Sequence, residues 1–214
     1  MLERVIDQKA AHLKASKYLA LALGVFCSLS TATDWQSDAS QSQLSYAVSF
    51  EQLPLNGQFK EFSVDYTPRQ KLRVVVDISS VDMGNSDIND AIRDADWFDI
   101  KQHSQAVFFS DNINAVGEGE FMAKGTLQLK GIKKPVSVPF SWTPSISTSS
   151  SSTSSSSTPA TSTKEPTRAA KMSGKLTLSR SDFAIGSQEW ASGDQIGIDV
   201  SVSFDVQMLK NVAE

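Results

Sequence analysis

"IGIDVSVSFDVQM" (196–208) places Ile196, Ile198, Val200, Val202, Phe204, Val206 and Met208 at every second position. Gly197, Asp199, Ser201, Ser203, Asp205 and Gln207 stand between them. A period of two is the repeat of a β-strand with one dry face and one wet face. A wet face points to antiparallel sheet, because parallel sheets are covered on both sides.

The same reading extends outward along the chain. Leu44, Tyr46, Val48 and Phe50 alternate with small or polar residues, as do Leu72, Val74, Val76 and Ile78. "KGTLQLKGIKKPVSVPFSW" (124–142) reads as two strands joined by a solvated hairpin carrying Lys130, Lys133 and Lys134. Leu127, Leu129, Val136, Val138 and Phe140 share its dry face. In "GQFKEFSVDY" (57–66), Phe62, Val64 and Tyr66 are in phase and Phe59 is not. A bulge near Lys60–Glu61 reconciles them. "QAVFFSDNI" (105–113), "GEFMAKGTLQLK" (119–130) and "KMSGKLTLSR" (171–180) complete about eight amphipathic strands, which close into a barrel or stack as a sandwich.

One helix is expected within "NSDINDAIRDADWF" (85–98), with Ser86 as N-cap and Ile88, Ile92 and Ala95 on one face. It leads to Trp97 and Phe98, where it could lid one end of a barrel. Residues 145–167 are low-complexity, rich in Ser and Thr. They read as a flexible loop between two strands.

The start of the chain differs. Lys9, Lys14 and Lys17 precede the short apolar run "YLALALGVFCSLSTA" (18–32). This is the pattern of a signal peptide spanning residues 1–32, with Ser30 and Ala32 as the small residues before cleavage. The run is too short for a membrane-spanning helix, so no stable span is expected after cleavage. Phe26, ahead of the lone Cys27, argues against lipidation. Residues 33–214 would then carry 16 basic and 22 acidic groups, a net charge of -6. That acidic, cysteine-free domain carries no footprint for nucleic acid and can form no disulfide.

No catalytic constellation stands out. His103 is the one histidine after the leader, and no G-x-S-x-G elbow or phosphate loop occurs. Asp82, Asp87 and Asp90 lack the spacing of a calcium loop, so no metal site is expected. They fit better as helix-start charge. The positive signal is aromatic: Phe50, Phe62, Phe109, Phe140 and Phe204 fall on dry faces. Trp97, Phe98, Phe183 and Trp190 lie on connections. Such a barrel can fill itself or hold one ligand. Arg180 shares the parity of Leu176 and Leu178. Its inward charge needs a partner, with Asp182 or another carboxylate favoured over a ligand head group.

"GTLQLKGIKKPVSV" (125–138), "LSRSDFAIG" (178–186) and "GDQIGIDVSVSFDV" (193–206) occur in an order that resembles the YceI-like family. That is a bacterial periplasmic polyisoprenoid-binding, lipocalin-like group. "NDAIRDADWFDIKQHSQAVFFS" (89–110), "DASQSQLSYAVSF" (38–50) and "NGQFKEFSVDY" (56–66) fit it as well. The likeness spans nearly all of residues 35–208 outside the Ser-rich loop. Gln102–His103–Ser104 departs from the family's Tyr-Pro, and Ala184 stands where the family pattern has glycine. The Ser-rich insertion is also foreign to the pattern.

The resemblance implies an all-β, eight-stranded antiparallel lipocalin-like barrel, with one short helix capping an end and an apolar tunnel inside. It implies a periplasmic binding protein for a long-chain isoprenoid or other fatty-chain lipid, not an enzyme, with no cofactor beyond such a lipid. The expected ligand-binding residues are Phe50, Phe62, Val76, Trp97, Phe98, Phe109, Val138, Phe140, Arg180, Phe183, Val202 and Phe204. Two other classes stay open: a quinone-related accessory enzyme using Arg180 or His103, and an adhesion protein using the Ser-rich loop. A homodimer is compatible with all three.

Overall fold

Alternation becomes strand wherever the sequence carries it. The computed structural model describes residues 35–67, 71–146 and 168–210. The expected signal segment and most of the Ser-rich loop lie outside them. The strands are β1 (Trp35–Ser37), β2 (Gln43–Phe50), β3 (Leu53–Phe59), β4 (Phe62–Thr67), β5 (Lys71–Asp77) and β6 (Val81–Asp82). After helix α1 (Ser86–Arg93) come β7 (Gln105–Gly117), β8 (Glu120–Leu129), β9 (Ile132–Ile146), β10 (Arg168–Ser179) and β11 (Ile196–Lys210).

These strands make eight staves, all antiparallel to their neighbours. β1 and β2 are one stave broken by a 3-10 turn at Ala39–Gln41, where the Asp38 carboxylate accepts the Ser40 amide at 3.0 Å. β3 and β4 are one stave broken at Lys60–Glu61, so Phe59 and Phe62 both face inward, as the bulge reading expects. β5 and β6 are one stave broken at Ile78–Ser80. β1 pairs with β4 on one side and β11 on the other, closing the sheet into a barrel. The seam register is Trp35 opposite Lys210. Beyond it, β11 pairs with β2 and β2 with β3.

Several local expectations are corrected. The helix N-cap is Asn85, one residue earlier than expected; its side chain accepts the amides of Asp87 and Ile88 at 2.9 and 3.1 Å. The helix ends at Arg93, so Ala95 lies beyond it. The β8–β9 hairpin turns on Lys130 and Gly131, both at positive φ, as a two-residue loop requires. It is not simply solvated: the Lys130 ammonium donates to the Ala184 carbonyl at 2.8 Å, and desolvation lowers its pKa. Lys133 is exposed as expected.

Phe109 is the largest correction. It sits opposite outward-facing Arg73 and Thr126 and is 42% exposed. Phe108 faces inward instead, opposite Val74 and Leu127. The cause is a bulge: Ser110 pairs with Gly125 and Asn112 with Lys124, leaving Asp111 unmatched. Parity counted back from buried Ile113 therefore selects the wrong phenylalanine. Ile198 is displaced in the same way, because the β11–β2 register shifts between Ile196 and Val200.

Inward side chains are sealed at one end of the barrel. Val64, Leu72, Ile113, Ala123, Ala170 and Met208 are buried there together with Phe140, which stacks on Phe121 at 5.4 Å. Trp35 packs edge-on against Trp142 at 5.0 Å beside this plug.

Candidate functional site

Above the plug the inward residues change character. Val74, Val76, Leu127, Val138, Leu176 and Val202 point inward yet are only half-buried. Their free surface faces a cavity of about 750 Å³ inside the barrel. That is within the size range of sites that engulf a small-molecule ligand. The wall is aliphatic and aromatic, with Ser45, Tyr46, Asp87, Ser179 and Arg180 as its polar or charged members.

Small residues make room for the rings. Gly57, Gly125 and Gly174 sit opposite Tyr46, Ser110 and Phe204 in their ladders. A Cβ at these glycines would lie 2.6 Å from the Tyr46 ring, 2.8 Å from Phe108 and 2.5 Å from Phe204. Each ring therefore lies flat over a bare stretch of backbone, a packing only glycine permits.

The end opposite the plug is roofed by connections. Phe183 and Ile185 are buried there, Trp97 packs on Trp190 at 5.9 Å, and Phe98 meets Phe59 at 6.1 Å. Ile88, Ala91 and Ile92 turn the apolar face of α1 to the cavity.

Arg180 holds the roof in place. It is 4% exposed, and among the described residues no carboxylate pairs with it, contrary to expectation. Nε donates to the Gly197 carbonyl at 2.9 Å, and Nη1 to those of Ile185 and Gly186, both at 2.9 Å. Nη2 donates to Ile196 at 2.8 Å and to Trp190. Five carbonyls thus meet the five donors of a guanidinium. Burial lowers its pKa, but the group stays charged. Two of these carbonyls, of Ile196 and Gly197, lie at the start of β11, where its register against β2 shifts. Gly186, at φ +69°, is fixed by the same contact, since a Cβ there would lie 2.5 Å from Nη1.

Of the twelve residues expected from sequence, ten line the cavity: Phe50, Phe62, Val76, Trp97, Phe98, Val138, Arg180, Phe183, Val202 and Phe204. Phe140 belongs to the plug beneath it, and Phe109 is outside the wall. Sequence reading left Phe108, Met83 and the Tyr46 hydroxyl out of the expected site, and all three lie in the wall. That hydroxyl donates to the Met83 sulfur at 2.7 Å, and burial, with the nearby Asp82 charge, raises its pKa. Asp82 itself is held well below the usual carboxylate range by Lys60 at 2.7 Å and by the Gly84 amide. Alternation placed Tyr46 on the dry face with Leu44 and Val48, but nothing in it foretells Met83, which arrives from a separate turn.

An antiparallel barrel of eight staves, plugged at one end and roofed at the other over an apolar chamber, matches one family over residues 35–208. The chain belongs to the YceI-like domain family. The YceI-like chain is similar to the crystal structure of BcnA from Burkholderia cenocepacia, with a TM-score of 0.64 and 26% identity over 80% of this chain and 98% of that one. A polyisoprenoid binding domain from Saccharophagus degradans shares the fold with a TM-score of 0.61 at 18% identity, covering 84% of this chain and 99% of that one. Among curated proteins, a UPF0312 protein of Vibrio campbellii is 31% identical over 90 residues, 39% of this chain and 48% of that protein. The YceI-like chain thus spans about half the length of the curated relatives it matches. Among the described residues no acidic, His or Cys cluster could hold a metal ion, and no helix is long and apolar enough to cross a membrane.

Proposed function

We propose that this protein binds a long-chain amphiphile, an isoprenoid or similar fatty chain, and sequesters or carries it in the periplasm after export by residues 1–32. One observation carries the reading: the roughly 750 Å³ chamber is walled by hydrocarbon. Ten buried methylenes would contribute roughly 8 kcal/mol before ordering costs. The Saccharophagus neighbour is a polyisoprenoid binding domain, which agrees with this chemistry.

Binding is favoured over catalysis because neither expected catalytic candidate is placed for chemistry. Arg180 spends its donors on backbone carbonyls, and His103 lies outside the cavity wall, against the Gly131 turn.

Native mass spectrometry of protein purified without detergent tests the reading. An adduct of fatty or isoprenoid mass, lost on solvent extraction and restored on mixing, is expected. Preparations that never carry such a mass and never take one up would overturn it. Export is tested separately by sequencing the N-terminus of protein from the periplasmic fraction. A chain beginning at Thr33 is expected, and an uncut chain confined to the cytoplasm would refute export.

A further inference from the structure

The barrel wall is incomplete on one side. β3 pairs with β2 along its whole length, but on its other edge β6 reaches only Gln58 and Phe59. Among the described residues, 53–57 have no strand partner on that edge, and α1 gives Asp87, Ile88 and Ala91 to the cavity wall. Leu53, opposite Phe50, carries the apolar surface out past the rim and is 70% exposed.

At the inner end of this opening lie Tyr46 and Met83. The Tyr46 ring covers Gly57, the last residue of the unpaired edge, and the hydroxyl reaches the Met83 sulfur. A thioether is a weak acceptor, so this donor is under-satisfied compared with those of Arg180. Nearby charge is acidic on balance. Lys60 neutralises Asp82 and Arg93 pairs with Asp90, while among the described residues no ion pair forms at Asp87. An anionic head would face that charge; a neutral oxygen would not.

We propose that the amphiphile lies with its chain in the barrel and its head in the side opening, where the Tyr46 hydroxyl leaves Met83 and donates to a neutral oxygen such as an ester, ketone or ether. The proposal rests on the binding function above and names the chemistry of its head group. Tyr46 is its specificity-determining residue.

The test is displacement of the fluorescent reporter N-phenyl-1-naphthylamine by three probes of similar length: methyl dodecanoate, dodecanoate and tridecane. The neutral ester is expected to bind more tightly than its anionic acid. Tyr46→Phe keeps the ring over Gly57 and should weaken the ester by roughly five- to tenfold, leaving tridecane within about twofold. Met83→Leu removes the competing acceptor and should raise ester affinity relative to tridecane. The proposal is overturned if Tyr46→Phe shifts ester and tridecane alike, or neither. It is equally overturned if Met83→Leu loses the ester as Tyr46→Phe does, since the pair would then be structural. Wild-type protein that takes up neither reporter nor tridecane defeats the binding function itself, and this proposal with it.

Discussion

At the residue scale, two side chains show how the roof and the wall are held. Lysine at position 180 would bring one ammonium to carbonyls now met by a planar fork. Arg180→Lys should therefore destabilise by about 3 kcal/mol, with amide exchange rising first in residues 181–197. Ala184, at φ +51°, occupies the left-handed region at the C-cap of the turn Arg180–Phe183, where the family pattern has glycine. Ala184→Gly should stabilise by about 1 kcal/mol, read as a higher midpoint of thermal unfolding. For Tyr46, the folded pKa is raised above the ordinary 10.0. Its contribution is complete below that value and falls as pH rises past it, while the unfolded chain ionises first. Urea melts of Tyr46→Phe should lose part of the wild type's decline above pH 10. Sequence parity exposed Arg180 as an inward charge, but its partners are backbone carbonyls within residues 185–197. No spacing of carboxylates could have revealed them.

At the element scale, period-two patterning located all eight staves, because each buries one face and wets the other. It failed where a strand carries an extra residue. Asp111 shifts the inward set from Phe109 to Phe108, and the irregularity between Ile196 and Val200 removes Ile198 from the inner row. Bulges have no residue signature of their own, so phase is legible only between them. The helix was legible through Ser86 and the Ile88–Ile92 pair, to within a residue at its start. Phe140 is in phase, but it fills the plug rather than the chamber. Phe140→Asp should accordingly abolish folding, at more than about 4 kcal/mol, rather than yield a folded protein that has lost its ligand. Circular dichroism with size-exclusion chromatography separates the two outcomes.

At the scale of the whole molecule, the barrel was foreseeable and its open chamber was not. Whether inward side chains fill the interior depends on where rings lie flat over glycines, and that needs coordinates. Val202, on the inner wall opposite Tyr46 and Leu176, offers the direct check. Val202→Trp places bulk inside the chamber and should cut lipid affinity by tenfold or more while leaving the melting temperature the same or higher. The wild type should instead gain about 2.7 kcal/mol of stability from a ligand at one hundred times its dissociation constant. The two effects are distinguished by melting each protein with and without lipid.

The seam has a consequence for how the barrel comes to be made. Neighbouring staves follow one another along the chain everywhere except where the first meets the last, and there Trp35 must find Lys210. Joining ends so distant in sequence is entropically the slowest of the pairings. The meander can assemble hairpin by hairpin, but the tube exists only after β11 arrives. Until then its hydrocarbon face lies open, and any apolar chain it meets finds a half-built trough before it finds a chamber.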